Sequence, residues 1–502
     1  MNLLLFERSS GRLGPDEFAR IQATTLLRSF ARAPHFRFDG GERDASVPVG
    51  RGNRAVASAA DGSGSGGDAA APRVSLWAHQ AGVSALALER FDGRILVSGG
   101  SDATIKLWDL EQCPNPWRYY TYRPVAVVSR AGSDSAAAGH RFGVTHLSFY
   151  PFDSAAFLSC SHDQTLKLWS TERASVSGSF FLGSRVYTHA VSPIASHLLV
   201  ACGTQHPAVR LVDLRSSAAV QSLVPPGQTG GSAGAVLSVS WSPAYEHVLA
   251  AGSADGAVRI WDVRKSNGLV ALLDQEDVVG LADGGTTSQL RPPRLAAKAH
   301  AGAVNGLTWT DDGAYLVSAG HDRRIRVWDA ATGANTLASF GPSIRNSQMG
   351  AVTMFVSPLG LTAPGCELLF FPNETEILVM DLHEGSTVAR LRGMGPAVAS
   401  VGTHQGGERA IKNRVTSLAW RGAGGSGGSS GVVMGGSNAA GGLLSGHLDG
   451  QIRGWLPELE GADDEGDDDD DGAADISAAK TKKRKALDDA FRSLMGRQVT
   501  FS

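Results

Sequence analysis

Along most of the chain, apolar and polar residues alternate in short runs broken by turn formers, the two-residue period of half-buried β-strands. One composite pattern recurs: LVSGGSDATIKLWDL (96–110), FLSCSHDQTLKLWST (157–171), LAAGSADGAVRIWDV (249–263), LVSAGHDRRIRVWDA (316–330) and LLSGHLDGQIRGWLP (443–457). In each, an apolar run ends in a turn and a second alternating run follows, which predicts strand, tight turn, strand. An Asp stands six residues before a Trp every time: Asp102/Trp108, Asp163/Trp169, Asp255/Trp261, Asp322/Trp328 and Asp449/Trp455. A further alternating run lies upstream of each unit: VSALALE (83–89), VTHLSFY (144–150), VLSVSWS (236–242), VNGLTWT (304–310) and VTSLAWR (415–421). Each unit therefore supplies three antiparallel strands, with a fourth expected after the Trp. That is the four-stranded blade of a β-propeller.

Two weaker units complete the count. Residues 185–215 keep the pattern with Val212 at the Trp position, and residues 351–392 keep it with Met380 there. Five clear and two degenerate units predict an all-β, seven-bladed propeller. Successive Trp-equivalents are 61, 43, 49, 67, 52 and 75 residues apart, so the longer intervals carry loop insertions. Ring closure needs a strand from the other end of the chain, and RVSLWAH (73–79) is expected to provide it. The expected organisation is an N-terminal helical arm (1–40), a Gly/Ala/Ser-rich linker (41–72), the propeller (73–457) and a charged tail (458–502).

A polar set repeats with the strands. His79, Ser98, Asp102 and Trp108 recur as His140, Ser159, Asp163 and Trp169, and as His300, Ser318, Asp322 and Trp328. A lone Ser–His–Asp set would suggest a nucleophile and its base. Three copies, each tied to a strand Trp, point to hydrogen-bonded scaffolding inside blades. There is no phosphate-binding Gly-rich loop, no HExxH and no other catalytic motif, so no enzyme activity and no cofactor is expected.

Composition narrows the picture. The chain of 502 residues is 42% hydrophobic, with a mean hydropathy of −0.08, as for a soluble globular protein. A net charge of −3 supplies no global field for nucleic acid. The four cysteines are widely spaced without a CxxC pair, which argues against a zinc site or disulfide framework and suits a reducing compartment. The apolar run Leu3–Phe6 is too short for a signal peptide, and no run is long enough to span a membrane.

Both ends differ from the repeats. Pro15, Asp16 and Glu17 mark a helix start, and Phe18, Ile21, Leu26, Leu27 and Phe30 form an approximate apolar face after it. Such an arm either docks a partner or packs back on the propeller underside. After Trp455, residues 463–471 hold eight acids. The basic cluster of Lys480, Lys482, Lys483, Arg484 and Lys485 then reads as a nuclear import signal or as a solvated charged tail.

The sequence between the repeats is more particular than the repeats themselves. YYTYRPVAVV (119–128), VYTHAVSPIASHLLVACGTQHPAVRLVDLRS (186–216) and the units at 140–170, 236–264 and 313–337 resemble the Cockayne syndrome A family of WD-repeat proteins, as does the late ALDDAF segment. The resemblance spans nearly the whole chain apart from the Gly/Ala-rich inserts. It implies a nuclear substrate receptor of a cullin 4 RING ubiquitin ligase acting in transcription-coupled nucleotide-excision repair. It further implies docking to the ligase's damage-specific DNA-binding adaptor protein, with Phe18, Ile21, Leu27 and Phe30 on the arm. A WDxR box at Trp261–Arg264 would contribute Asp262 and Arg264, whose other reading is an intra-blade ion pair. The opposite face would recruit targets, namely the Cockayne syndrome B ATPase and RNA polymerase II, through residues such as His162, Arg185, Tyr187 and His321. A scaffold of another nuclear complex, such as a ribosome-assembly or chromatin propeller, needs neither the arm nor the box. Direct nucleic-acid binding is disfavoured by the net acidity.

Overall fold

The computed structural model describes residues 2–33, 36–41, 77–113, 120–131, 139–194, 197–216, 218–225, 234–265, 268–277, 298–363, 365–393, 414–421 and 442–457. Seven antiparallel sheets follow one another in a ring. Blade 1 comprises Val83–Leu88, Ile95–Gly100, Ile105–Asp109 and Pro124–Val128; blade 2 begins at Val144 and blade 3 at Val186. Blade 4 begins at Val236, blade 5 at Val304, blade 6 at Phe355 and blade 7 at Val415. The degenerate units 185–215 and 351–392 are thus blades 3 and 6. Val212 and Met380 are fully buried where the other blades place Trp, so bulk suffices there without the indole N–H.

The closing strand is not the expected one. Residues 77–79 are a loop, with Ala78 and His79 N–H donating to the Gly450 carbonyl at 3.0 and 3.1 Å, and residues 73–76 lie outside the described residues. The outer strand of blade 7 is instead β1, Phe30–Ala33, which pairs antiparallel with Ile452–Pro457 in the register Phe30↔Pro457 to Ala33↔Gly454. The physical reason is visible in the side chains. Phe30 enters the core between blades 6 and 7, its ring 6.3 Å from Phe370 and 5.8 Å from Trp420. The chain then crosses to blade 1 as β2, Phe36–Phe38, which pairs in parallel with Tyr120–Tyr122. Phe38 stacks on Tyr122 at 5.0 Å and meets Trp108 edge-on at 5.2 Å, and Lys106 Nζ donates to the Gly40 carbonyl at 3.1 Å. The expected arm is therefore part strap and part ring.

Blade 5 departs from the four-stranded expectation. Its outer position is reduced to a single bridge, Trp328↔Asn335, and the backbone turns left-handed at Leu337. The following segment leaves the sheet, buries Phe340 and Ile344 between blades 5 and 6, and crosses the ring's rim.

Blade orientation defines two faces. The turns holding Asp102, Asp163, Asp255, Asp322 and Asp449 lie where second strands end and third strands begin, which is the top. The ends of the third strands, with Asp109, Asp262 and Pro457, share the underside with the loops joining first and second strands.

Candidate functional site

The repeated polar set assembles as a relay inside blades 1, 2 and 5. In blade 2, Trp169 Nε1 donates to Ser159 Oγ at 2.7 Å, Ser159 Oγ lies 2.6 Å from His140 Nε2, and His140 Nδ1 lies 2.8 Å from Asp163. Because the indole occupies an acceptor position of the hydroxyl, the Ser hydrogen points to Nε2 and the imidazole proton sits on Nδ1, facing the carboxylate. Blade 5 repeats this with Trp328, Ser318, His300 and Asp322 at 2.8, 2.8 and 2.9 Å. In blade 1, Trp108 and His79 reach Ser98 at 2.8 and 2.7 Å, while His79 Nδ1 is nearer Thr104 Oγ1 (2.9 Å) than Asp102 (3.4 Å). The three serines are fully buried with their hydroxyls occupied, so none is presented as a nucleophile.

Each Asp also shapes its turn. Asp102, Asp163, Asp255, Asp322 and Asp449 accept from the backbone N–H two residues on, at 2.9, 3.0, 3.0, 3.2 and 3.0 Å. The residue between is left-handed in all five turns: Ala103, Gln164, Gly256, Arg323 and Gly450. An Asp in that role supplies the acceptor that such a turn needs. Burial alone would raise the Asp102 carboxyl, but the His79 and Thr104 hydrogen bonds and the His79 charge outweigh it and hold it down at about 2.

Blades 4 and 7 solve the same problem with other residues. In blade 7, His447 takes the place of the absent upstream His: Ser445 Oγ is 2.8 Å from both His447 Nε2 and Trp455 Nε1, and Arg453 pairs with Asp449 at 2.5 Å. In blade 4, Arg259 holds Asp255 at 2.6 Å and Ala251 stands at the Ser position, ten residues before Trp261. The Trp261 indole N–H consequently has no hydrogen-bond partner among the described residues. Ala251→Ser is expected to supply the missing acceptor and raise stability by about 1 kcal/mol, seen as a higher denaturant midpoint. An unchanged or lower midpoint would show that the site cannot seat the hydroxyl.

The underside carries the arm. Helix α1, Asn2–Ser9, packs on α2, Pro15–Arg28, with the Arg8 guanidinium 5.4 Å from the Phe18 ring centroid. Phe18, Leu27 and Phe30 are buried within the chain itself, and Leu27 shares a cluster with Leu361 and Phe370 beneath blades 6 and 7. These three expected docking residues are therefore anchors, not a free face, and Ile21 is half-buried. The apolar residues the arm does expose are on α1: Leu3 (69% exposed), Leu5 (50%) and Phe6 (63%). On the same underside, Phe91, Phe152, Ile194, Tyr245 and Leu359 stand exposed in the loops joining first and second strands of blades 1, 2, 3, 4 and 6. One exposed apolar residue thus recurs on this face in five of the seven blades. The only sequence signal for the loop residues is their recurrence just after the first strand of a blade.

Asp262 and Arg264 also sit on the underside, at blade 4. Asp262 is buried, and it accepts from Arg264 Nε and a terminal nitrogen at 3.1 and 3.0 Å and from Arg264 N–H at 3.1 Å. This paired geometry is the intra-blade ion pair. The Arg264 side chain remains 65% exposed, so one edge of it still faces outward.

The top face brings together three of the four expected target residues. His162 and Tyr187 meet edge-on at 6.1 Å, and the nearby Arg185 charge, with burial as the larger cause, lowers the His162 imidazole. His321 lies apart on blade 5, where Nε2 donates to the Gln348 carbonyl at 2.8 Å. Asn305 and Asn346 bond each other in that same network, and Gln348 reaches the Thr416 carbonyl of blade 7. Sequence reading missed this strap, since nothing in the repeats marks it. The basic cluster at 480–485 lies outside the described residues.

Four segments, 71–109, 135–170, 224–262 and 293–329, match the WD domain, G-beta repeat family, and they cover blades 1, 2, 4 and 5. The chain is thus a seven-bladed propeller that contains four WD40-type repeats. Among individual proteins it is similar to WD repeat-containing protein ATCSA-1 of Arabidopsis thaliana, 29% identical over 376 residues that cover 63% of this chain and 79% of that protein. It is also similar to Radiation-sensitive protein 28 of Saccharomyces cerevisiae, 27% identical over 207 residues covering 40% of each chain. Ribosome biogenesis protein YTM1 of Phaeosphaeria nodorum is 29% identical over 273 residues, which cover 51% of this chain and 55% of that protein. The chain thus spans about half or less of the latter two.

Proposed function

We propose that this chain is the substrate-recognition subunit of a cullin 4 RING ubiquitin ligase in transcription-coupled nucleotide-excision repair. In this reading it is a nuclear, non-enzymatic platform. The observation that carries it is the arm: a helix pair anchored under blades 6 and 7 that exposes Leu3, Leu5 and Phe6 on the face where Arg264 also lies. That is the form of a helix-mediated dock beside a propeller. The damage-specific DNA-binding adaptor would take this face, and the Cockayne syndrome B ATPase and RNA polymerase II the top. The relatives named for CSA and for radiation sensitivity agree with a repair role.

A second reading rests on the similarity to YTM1, over half of the chain, and makes the protein a scaffold in ribosome biogenesis. Co-elution of the purified chain with the adaptor on gel filtration separates the two. The repair reading expects a stable complex. A folded chain that elutes alone removes that reading and leaves the scaffold, to be tested by co-sedimentation with pre-ribosomal particles.

A further inference from the structure

On the top face, six blades repeat one backbone contact. The first residue of the turn between second and third strands donates its N–H to the carbonyl just ahead of the inner strand. The pairs are Ser101 to Gly82, His162 to Gly143, Gln205 to Arg185, Ala254 to Ala235, His321 to Ala303 and Leu448 to Arg414, at 2.8–3.3 Å. Two residues beyond those acceptors, Ser84, Thr145 and Thr416 donate their hydroxyls to the first inner-strand carbonyl of the next blade. The scaffold thus needs only a small residue at the first position and a short hydroxyl at the second.

Where blade 2 meets blade 3, both positions depart from this rule. Arg185 stands where blades 1, 2, 4 and 5 carry Gly or Ala, and Tyr187 stands where Ser or Thr ties neighbouring blades together. The Tyr187 hydroxyl makes no such tie; its ring meets His162 edge-on at 6.1 Å instead. Departures that give up a scaffold contact mark functional positions. The corresponding residues elsewhere are already engaged: Arg414 donates to Ser347 Oγ at 2.8 Å and lies 3.9 Å from Glu374, and His321 donates to the Gln348 carbonyl. The side chains of His162, Arg185 and Tyr187 have no hydrogen-bond acceptor among the described residues.

The chemistry of the three is that of an anion site. Arg185 and His162 are exposed and Tyr187 is half-buried, so their polar ends are reachable. Burial and the Arg185 charge lower the His162 imidazole, which leaves it a neutral N–H donor. Asp163 also acts on His162, but its carboxylate already accepts from His140, from Arg141 N–H, and from the N–H and hydroxyl of Thr165. The two connections that flank the inner strand of blade 3 on this face, residues 182–185 and 224–235, carry no acid. One guanidinium with two neutral donors matches a singly charged, planar carboxylate better than a doubly charged phosphate.

We propose that Arg185, Tyr187 and His162 form a binding site for the carboxylate of an Asp or Glu side chain on a protein target. This rests on the reading of the top face as the target side, and it names the chemistry that side recognises.

The test uses the full chain as native, Arg185→Ala, Arg185→Lys and Tyr187→Phe forms. The probe is fluorescein-labelled octaglutamate, followed by anisotropy at low salt beside octaglutamine, with melting temperatures taken in parallel. The native chain should bind octaglutamate and not octaglutamine. Arg185→Ala should bind about tenfold more weakly, Tyr187→Phe about threefold, and Arg185→Lys between native and Arg185→Ala, all at the native melting temperature. No binding of octaglutamate by the native chain, or equal binding by the native and Arg185→Ala chains, would overturn the proposal. A melting temperature that falls with affinity would make the three residues structural and overturn it as well. Tighter binding of a phosphoserine peptide or a DNA oligonucleotide of equal charge would reassign the site to phosphate and overturn the carboxylate. The assay contains neither the adaptor nor the ATPase, so its failure leaves the receptor reading standing.

Discussion

A chain that begins at residue 34 is expected to lose the closed ring, whereas one lacking only residues 1–9 keeps it. Removing β1 leaves Ile452–Pro457 as an unpaired edge beside the buried Trp455, and it takes Phe30 from between Phe370 and Trp420. The strand that β1 covers then becomes the outer edge of blade 7, free to pair with another chain, and the only strand that ties the N-terminal segment into that blade is gone. The point substitution Phe30→Ala isolates the core part of the effect and should cost about 3–5 kcal/mol, the usual range for a buried Phe. Thermal unfolding and limited proteolysis read both. A melting temperature for Phe30→Ala equal to that of the native chain would mean that the ring closes elsewhere. This result bears on function as well, because deleting the whole arm would abolish partner binding by unfolding the ring, whatever the arm touches.

Stability is also expected to fall as pH drops from about 6.5 to 4. Between blades 2 and 3, His146 Nδ1 lies 3.3 Å from His189 Nδ1, which is also 3.3 Å from Cys160 Sγ, while Ser148 Oγ meets His189 Nε2 at 2.7 Å. Burial lowers the His146 imidazole to about 4 and the His189 imidazole well below its ordinary value, the latter helped by its His neighbour. Burial likewise lowers His300, against the opposing pull of Asp322. The folded state keeps these rings neutral while the unfolded chain protonates them near 6.5. The unfolded state therefore gains protons first as pH falls, and stability declines down to the folded value. For His146 alone the decline is on the order of 3 kcal/mol at most. Below about 3.8 a second loss follows as Asp102, held down at about 2, is protonated. Denaturant midpoints across this range should show the first decline, and His146→Asn with His189→Asn should flatten it. A native midpoint constant from pH 6.5 to 4.5 would contradict the neutral pair.

The sequence made the seven blades legible, because every blade repeats a strand period that only a β-sheet satisfies. Even Val212 and Met380 were readable, since an apolar residue of sufficient bulk at the Trp position preserves the core. What escaped were solutions with no repeat to mark them. Phe30–Ala33 belongs to a sheet whose other strands lie over 380 residues away, and FARA has too little pattern to name its partner. His447 takes over a role from a different strand, and Asn305 with Asn346 holds the segment that leaves blade 5 after its single outer bridge. On the arm, periodicity found the apolar face of α2 and left open whether it docks a partner or packs back, while the family resemblance implied docking. Burial assigns it inward and leaves α1 as the face presented to solvent.

The receptor account is tested most directly by titrating the purified adaptor against the native chain and a Leu3→Asp, Phe6→Asp variant, with melting temperatures taken in parallel. The account predicts tight binding by the native chain and loss of about a hundredfold in the variant, since truncating apolar anchors of this kind removes roughly 2–4 kcal/mol, at an unchanged melting temperature. Equal binding by the two chains, or none by the folded native chain, would contradict it.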